Sequence, residues 1–369
     1  MTTVNASKLP SDEMKEHAAA TPGPIAAAER LIRDAFMEKL RSVPGVYLEN
    51  QIDNTTPSLD FTFIDNFVLR EGVVAADPET YPGCQQPCRP NMGGFCGCEY
   101  TQLCECLEYA AVDEPRLAKK DPARHAQYLK EKSIPGGFPD TEGLPKRFPY
   151  SKPKTGFVQT LTDFYRKERH AIYECNEKCN CGPGCKSHLV NKGRHVELTI
   201  FKTANRGWGV YCNENLIQGE FVDVYLGEVL TNEEASRRED EADIEKGSYL
   251  YSLDKFIEDD PTLTAENCYV VDGQYMGNAT RFINHSCDPN CRQYTVSYNK
   301  YDLRVYNLAF FAYEDIPAGT ELTFDYMDKD EEEEEDVLRK REEAMNDPAN
   351  EHKRLCNCGA SKCRGYLWV

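Results

Sequence analysis

Arg281-Phe282-Ile283-Asn284-His285-Ser286-Cys287 is followed by Glu321-Leu322-Thr323-Phe324-Asp325-Tyr326, and then by Cys356-Asn357-Cys358 with Cys363. The first stretch joins a polar Asn-His pair to a cysteine. The second reads as an apolar strand that ends in a lone tyrosine. The third sets three thiols near the C-terminus at metal-ligand spacing, and Cys287 supplies the fourth donor of a closed tetrahedral zinc site. Such a site would pull the C-terminal tail over Asn284 and His285 and complete a pocket there.

The chain has 369 residues, room for one large domain or two modest ones, and 40% hydrophobic residues, enough for a sizeable core. No apolar run reaches the ~18 residues that a membrane span needs, so no membrane partner is expected. The N-terminus shows no apolar signal core, so secretion is not expected. Seventeen cysteines, spaced in C-x-C and C-x3-C units, read here as metal thiolates rather than disulfides. The net charge of -19 argues against direct binding to DNA phosphate. It suits a basic peptide partner through electrostatic steering, although acidity also serves solubility.

Residues 1–23 are small, polar and Ala-rich, the texture of a disordered N-terminus. Pro24 to Leu40 carries a helical stripe of Ile25, Ala28, Leu31, Ile32, Ala35, Phe36 and Leu40, with Gly45 as a stop. Val46–Leu48 and Phe61–Val68 read as short extended segments. Cysteines crowd residues 84–106 and return at 175–185. The Pro-, Gly- and charge-rich Asp121–Lys154 between them reads as a long connection. Beyond Lys192 the alternation of Val196, Leu198 and Ile200 predicts a strand. Phe221–Leu230, Tyr249–Leu253 and Glu321–Tyr326 predict others, with a charged helix over Asn232–Lys246 and a hairpin over Tyr294–Phe311 turning near Asn299-Lys300. The fold class is therefore mostly β with short helices. No G-x-G-x-x-G follows a strand, which argues against a doubly wound nucleotide domain.

Cys175-x3-Cys179-x-Cys181-x3-Cys185 is a strong metal signal, and Cys84, Cys88, Cys96, Cys98, Cys104 and Cys106 precede it. Three tetrahedral zinc ions need twelve coordination positions. Nine thiolates fill them if three bridge two metals each. Four come from the second group, so five of the upstream six are required. The set taken is Cys84, Cys88, Cys98, Cys104 and Cys106, with Cys96 spare, although spacing leaves the choice between Cys96 and Cys98 open. One or two separate four-cysteine sites are the alternative. With every ligand a thiolate and no open position, the role is structural: the cluster braces a segment too small to fold alone.

The aromatic residues pose a different question. Flat rings exclude water and a hydroxyl can orient a polar group, and a narrow apolar channel lowers the pKa of an amine that enters it by desolvation. Tyr249, Tyr251, Phe324 and Tyr326 could wall such a channel, with Tyr326 as the essential hydroxyl. Each alone is more often core than catalytic. Likewise Asn284-His285 alone reads as a hydrogen-bonded turn.

The ordered set changes the weight. Asn205-Arg206-Gly207-Trp208-Gly209-Val210, Tyr225-Leu226-Gly227-Glu228, Tyr249, Arg281–Cys287, Glu321–Tyr326 and the C-terminal cysteines follow a nine-cysteine cluster. Together they resemble the suppressor-of-variegation 3-9 family of histone H3 lysine-9 methyltransferases, in the fungal form without a chromodomain. The resemblance covers about residues 45–369, apart from 107–155 and 328–352. It implies a SET-domain β-fold with a pseudoknot, flanked by a zinc-cluster pre-SET and a zinc-binding post-SET. It divides the chain into a 24–80 helix-and-strand segment packed on the SET core, a pre-SET at 81–192 with an insertion at 107–155, a SET domain at 193–327, an acidic linker at 328–352 and a post-SET at 353–369.

It also implies S-adenosylmethionine as cofactor, held by Arg206, Gly207, Trp208, Gly209, Tyr251, Arg281, Phe282, Asn284, His285 and Tyr326, with Leu367 and Trp368 as a lid. Catalysis would fall to Tyr326, Tyr249 and Phe324. The histone H3 tail would add as a strand beside 249–254, contacted by Tyr249, Phe324 and the acidic Asp254 and Asp272. Four zinc ions are implied: three in the first cluster and one on Cys287, Cys356, Cys358 and Cys363. Phe324 leaves room for a methylated amine to rotate, so di- and trimethylation are expected.

The resemblance places the protein on chromatin in the nucleus, with targeting left to chromatin-targeting partners, since no reader domain is visible. The competing readings are a methyltransferase for another lysine and an inactive zinc-braced tail-binding module. A zinc-dependent nucleic-acid binder fits the acidic charge poorly. The acidic run at 328–352 reads as a solvated linker or as an autoinhibitory loop carrying lysines open to self-methylation. Cys212, Cys268 and Cys291 read as small core residues.

Overall fold

The computed structural model describes residues 22–77, 83–84, 104–134, 139–151, 158–179, 181, 185–241, 249–257, 260, 262–299, 302–328, 334–347 and 355–367. Of the stretch 1–23 expected to be disordered, residues 1–21 lie outside them, while Pro22 and Gly23 belong to the first helix. The first helix spans Pro22–Leu40, two residues earlier than Pro24 suggested. Phe36 and Leu40 bury its inner face beside Phe61 and Val46 in the main core.

Three small sheets enclose that core. Val46–Glu49 runs parallel to Leu198–Lys202, which pairs antiparallel with Trp208–Cys212. Val68–Leu69, Glu228–Thr231, Tyr269–Asp272 and Leu250–Ser252 form the second sheet, and Ile172–Tyr173, Cys291–Ser297, Asn307–Ala312 and Phe221–Tyr225 the third. The alternation that predicted a strand through Val196, Leu198 and Ile200 puts all three in the core at 1%, 0% and 0% exposure. Cys212, Cys268 and Cys291 are buried, as expected.

Asn284–His285 pairs in parallel with Thr323–Phe324, drawing two remote segments together at the site. The strand expected over Glu321–Tyr326 shortens to Thr323–Phe324, because its partner offers only two residues. The hairpin is present, with strands Cys291–Ser297 and Asn307–Ala312.

Two expectations change. Phe221–Leu230 is two strands in different sheets, Phe221–Tyr225 and Glu228–Thr231. The break falls at Leu226-Gly227, where a Cβ on Gly227 would sit 2.3 Å from the Asp272 carbonyl oxygen. Only glycine admits that backbone approach. Second, the 107–155 stretch holds two helices, Glu114–Lys120 and Pro122–Lys132. Asp113 and Asp121 accept capping bonds from the backbone N–H groups of Arg116 and Arg124 at 3.3 and 2.9 Å. Pro115 and Pro122 sit in first turns, where their missing N–H costs nothing. Leu117 and Tyr128 then pack with Val112 and Leu144 as a small core of their own.

The charged helix runs Asn232–Glu241, and residues 242–248 lie outside the described set. Glu334–Asn346, within the acidic stretch, is also helical. It lies against the C-terminal tail: a Cβ on Gly365 would meet Arg341 Cγ at 3.3 Å and Met345 Cγ at 3.6 Å. Among the described residues no helix is long and apolar enough to cross a membrane.

Candidate active site

The paired segments Asn284–His285 and Thr323–Phe324 form one wall of a cavity of about 400 Å³. Arg206, Gly207 and Trp208 enter from the turn before the strand at Trp208, and Arg281–Ile283 from a short 3₁₀ turn. Tyr225, Tyr249, Tyr251, Phe324 and Tyr326 contribute aromatic surface, and Leu355–Cys358 with Leu367 cover the site from the C-terminal tail. The size and the mixed apolar and polar lining fit a cofactor-sized ligand.

Hydrogen bonds set the polar wall. The Asn284 side-chain amide donates to the Trp208 carbonyl at 3.0 Å and to Glu321 Oε1 at 2.8 Å. Arg206 pairs with the other oxygen of Glu321 and donates to the His285 carbonyl at 3.3 Å. Glu321 therefore joins the two motifs. It lies within the quoted Glu321–Tyr326 stretch, yet the sequence assigned it no role. Gly207 turns the chain here at φ +72°, in the left-handed region, and a Cβ there would touch nothing within 4 Å. Arg281 is fixed from both sides. It donates to the carbonyls of Gly273 and Gln274 at 3.0 and 3.2 Å, and its guanidinium lies 4.3 Å from the Tyr249 ring centre.

The aromatic end is equally ordered. Tyr326 packs edge-on to His285 at 5.3 Å and tilted on Phe324 at 4.8 Å, and Phe324 rests on Phe310 at 4.8 Å. The Tyr326 hydroxyl donates to the Ile283 carbonyl at 2.9 Å, and its backbone N–H donates to His285 Nδ1 at 3.2 Å. Tyr225 and Tyr251 donate to the Tyr249 carbonyl at 2.7 Å and to Gln293 Oε1 at 2.6 Å. Burial raises the pKa of both phenols, so they stay neutral donors near pH 7.

Cys287, Cys356, Cys358 and Cys363 have sulfur atoms within 4.8 Å of one another. Two thiolates bound to one tetrahedral zinc at ~2.3 Å stand ~3.8 Å apart. Cys287 and Cys356 are 3.8 Å apart. The donor set fits zinc, and its closure brings Leu355–Cys358 to the cavity. Among the other thiols, Cys84, Cys106, Cys175 and Cys179 form a second such group. Cys104 lies 3.6 Å from Cys84 and 3.8 Å from Cys175.

Residues 207–327 match the SET domain and residues 38–188 the Pre-SET motif. The chain is 38% identical over 330 residues to the histone-lysine N-methyltransferase, H3 lysine-9 specific dim-5, of Neurospora crassa, spanning 88% of each chain. It belongs to the H3 lysine-9 methyltransferase family. A Schizosaccharomyces pombe enzyme of that name is 35% identical over 91% of this chain and 58% of its own. The solved structure of the Neurospora SET domain protein DIM-5, a histone lysine methyltransferase, aligns with a TM-score of 0.61 at 35% identity, covering 78% of this chain and 97% of that one. The crystal structure of Arabidopsis thaliana SUVH6 in complex with SAM aligns with a TM-score of 0.53 at 26% identity, covering 87% of this chain and 53% of that one.

Most residues singled out from the sequence converge on one cavity, and Gly209, Asp272 and Asp254 lie outside it. Gly209 does not line it. A Cβ there would fall 2.8 Å from Glu321 Oε1 and 2.9 Å from Phe201, so this glycine makes room for the Glu321 carboxylate. Asp272, expected to touch a basic tail, is 1% exposed and paired with Arg238 at 2.8 Å. Its carboxylate braces the second sheet and is out of a peptide's reach. Asp254 is exposed and lines a separate groove with Tyr251, Arg169 and Asp328. Cys88, Cys96, Cys98 and Trp368 lie outside the described residues.

Proposed function

We propose that this protein transfers methyl groups from S-adenosylmethionine to lysine 9 of the histone H3 tail, with dimethyl- and trimethyllysine as products, on chromatin in the nucleus. The observation that carries the reading is the cavity itself: Arg206–Trp208, Arg281–His285 and Tyr326 face one space that the cysteine tail covers. Targeting to particular chromatin would come from partner proteins.

S-adenosylmethionine supplies, when bound, an electrophilic methyl on a sulfonium centre. Arg206, Trp208, Asn284, His285 and Leu367 would hold it, with Phe282 and Arg281 beside it. The residues of the chain do the rest. Tyr225, Tyr249, Tyr251, Phe324 and Tyr326 exclude water from the lysine, which favours the neutral amine and frees its lone pair for in-line attack. Tyr326 already donates its hydroxyl hydrogen to Ile283, so its oxygen is left to accept from the amine and orient it. The groove lined by Asp254, Lys255 and Tyr251 runs beside the strand Leu250–Ser252, an edge that can accept an extended peptide.

Three zinc ions in the first thiol cluster and one at Cys287, Cys356, Cys358 and Cys363 would brace this arrangement. The decisive test is incubation with S-adenosylmethionine and an unmodified H3 tail peptide, read by mass spectrometry. Stepwise methyl gains on lysine 9, absent with Tyr326→Phe, are expected. Methylation confined to another lysine would overturn the substrate assignment. No transfer by zinc-loaded protein would leave a tail-binding module.

A further inference from the structure

Among the described residues, the first thiol cluster has one histidine within ligand distance of its cysteines. His188 Nε2 lies 3.4 Å from Cys181 Sγ, and the ligand atoms of Cys175, Cys181, Cys185 and His188 all fall within 4.8 Å of one another. A zinc bound at ~2.3 Å to sulfur and ~2.0 Å to imidazole nitrogen sets those two atoms ~3.5 Å apart across a tetrahedral edge. We propose that His188 is a zinc ligand, closing a Cys3His position with Cys175, Cys181 and Cys185 in the cluster that otherwise uses thiolates alone.

The backbone around His188 is built to hold it there. Glu174 is 1% exposed, and its carboxylate accepts the N–H groups of Leu189, Val190 and Asn191 at 3.0, 2.9 and 2.9 Å, the three residues after His188. The Cys175 N–H donates to the Ser187 carbonyl at 3.0 Å, and Gln159 donates its amide to the Lys186 carbonyl at 2.6 Å. The segment is thus pinned on both sides of the imidazole. Glu174 immediately precedes Cys175, so one buried carboxylate sets the spacing between a thiol and the imidazole. These bonds fix the backbone that carries the imidazole before the metal arrives, and the ring itself contacts Cys181.

The assignment changes the bookkeeping of the cluster. Cys175 belongs both to this group and to the group of Cys84, Cys106 and Cys179, which makes it a bridging thiolate. With one imidazole in terminal position, nine thiolates fill the twelve positions of three zinc ions with two bridges rather than three. One bridge fewer removes one shared sulfur and one negative charge is no longer divided between two metals. A neutral imidazole also exchanges differently from a thiolate: it is lost by protonation at mildly acid pH and is not oxidised.

The proposal rests on reading these thiols as a zinc site, and the test separates the two. The full-length protein, labelled with 15N in its histidine rings, is loaded with 113Cd in place of zinc and examined by NMR. A cadmium signal coupled to one imidazole nitrogen is expected, with that coupling gone in His188→Asn. The variant is needed for assignment because His285 Nε2 lies 3.2 Å from Cys287 Sγ at the other site. Coupling that persists in the variant overturns the proposal. So does wild-type protein that binds cadmium only through sulfur, in which case His188 merely donates a hydrogen bond to Cys181. Should His188→Asn fail to fold, His188→Cys supplies the assignment by converting the coupled signal to an all-sulfur one. Wild-type protein that takes up no metal in this cluster overturns the zinc reading and the proposal together.

Discussion

Arg364 grips Asp325 with both terminal nitrogens, at 2.8 Å to one carboxylate oxygen and 2.5 Å to the other. Arg364 follows the metal-ligand candidate Cys363, and its backbone N–H donates to Cys287 Sγ at 3.4 Å. Asp325 sits between Phe324 and Tyr326, with the His285 ring 3.5 Å from its carboxylate. The pair therefore ties the cysteine tail to the segment that carries Phe324 and Tyr326. Both side chains are largely buried, at 14% and 10% exposure. Burial opposes ionisation of Asp325, but the bonds and charge of Arg364 outweigh it and hold its pKa below the usual range.

Removing one member of such a pair leaves a buried charge unmatched, at a cost of about 3–5 kcal/mol. Arg364→Ala should therefore raise the KM for S-adenosylmethionine by about tenfold or more, while the first thiol cluster keeps its metal. Arg364→Lys should recover part of the loss, since an ammonium cannot bind both oxygens in parallel. Steady-state kinetics with metal analysis on the same samples checks this.

Tyr326→Phe removes a hydroxyl bonded to the Ile283 carbonyl at 2.9 Å and leaves the ring stacking in place. Stability should fall by only about 1 kcal/mol, whereas turnover should fall by about a hundredfold or more. Thermal unfolding beside peptide methylation separates the two effects.

Phe324 lies 4.8 Å from both Phe310 and Tyr326 and is 7% exposed. On the proposed reading, Phe324→Tyr adds a hydroxyl where the methylated amine would turn. The product distribution should shift toward monomethyllysine with the first transfer retained. A variant that still makes trimethyllysine at the wild-type proportion would show that this position does not set product number.

Removing metal from the tail site should open the cavity. Cys358→Ser is expected to lose one equivalent of zinc and most S-adenosylmethionine binding, because Leu355–Cys358 and Leu367 wall that space. Isothermal titration with S-adenosylhomocysteine, alongside zinc quantification, measures both.

Asp223 offers a stability test away from the site. It pairs with Arg194 at 3.1 Å, but burial pushes its pKa up to about 6. Between the unfolded value, roughly 3.9, and its native value, the folded chain holds a proton the unfolded chain has lost, so stability falls as pH rises through this window. The effect is on the order of 2–3 kcal/mol and is complete above the native pKa. Asp223→Asn should flatten this part of the profile, read from urea midpoints at about pH 5 and about pH 7.

Much of the molecule was legible in the order of its residues. The cysteine spacings marked both metal regions, and the alternation of Val196, Leu198 and Ile200 marked a core strand. The motifs Asn205–Val210, Arg281–Cys287 and Glu321–Tyr326 marked a site that the fold assembles in one cavity. These signals are local: ligand spacing, period and short runs around a turn are written within a few residues. The helix Pro122–Lys132 was read as connection because Asp121–Lys154 is rich in Pro, Gly and charge, whereas the capping Asp121 makes Pro122 a first-turn residue; the short Glu114–Lys120 helix drew no reading at all.

What only the tertiary structure decided depends on partners far apart in the chain. Asp272 looked like a tail contact until Arg238 was found against it, and Gly209 looked like a cofactor contact until Glu321 filled the space it leaves. The grip of Arg364 on Asp325 and the shared place of Cys175 between two metal groups are of the same kind. A charge or a sulfur atom has no meaning in the linear sequence beyond its type. Burial sets the cost of leaving it unpaired, and burial is fixed only when the sheets close around the core and bring the partner within reach.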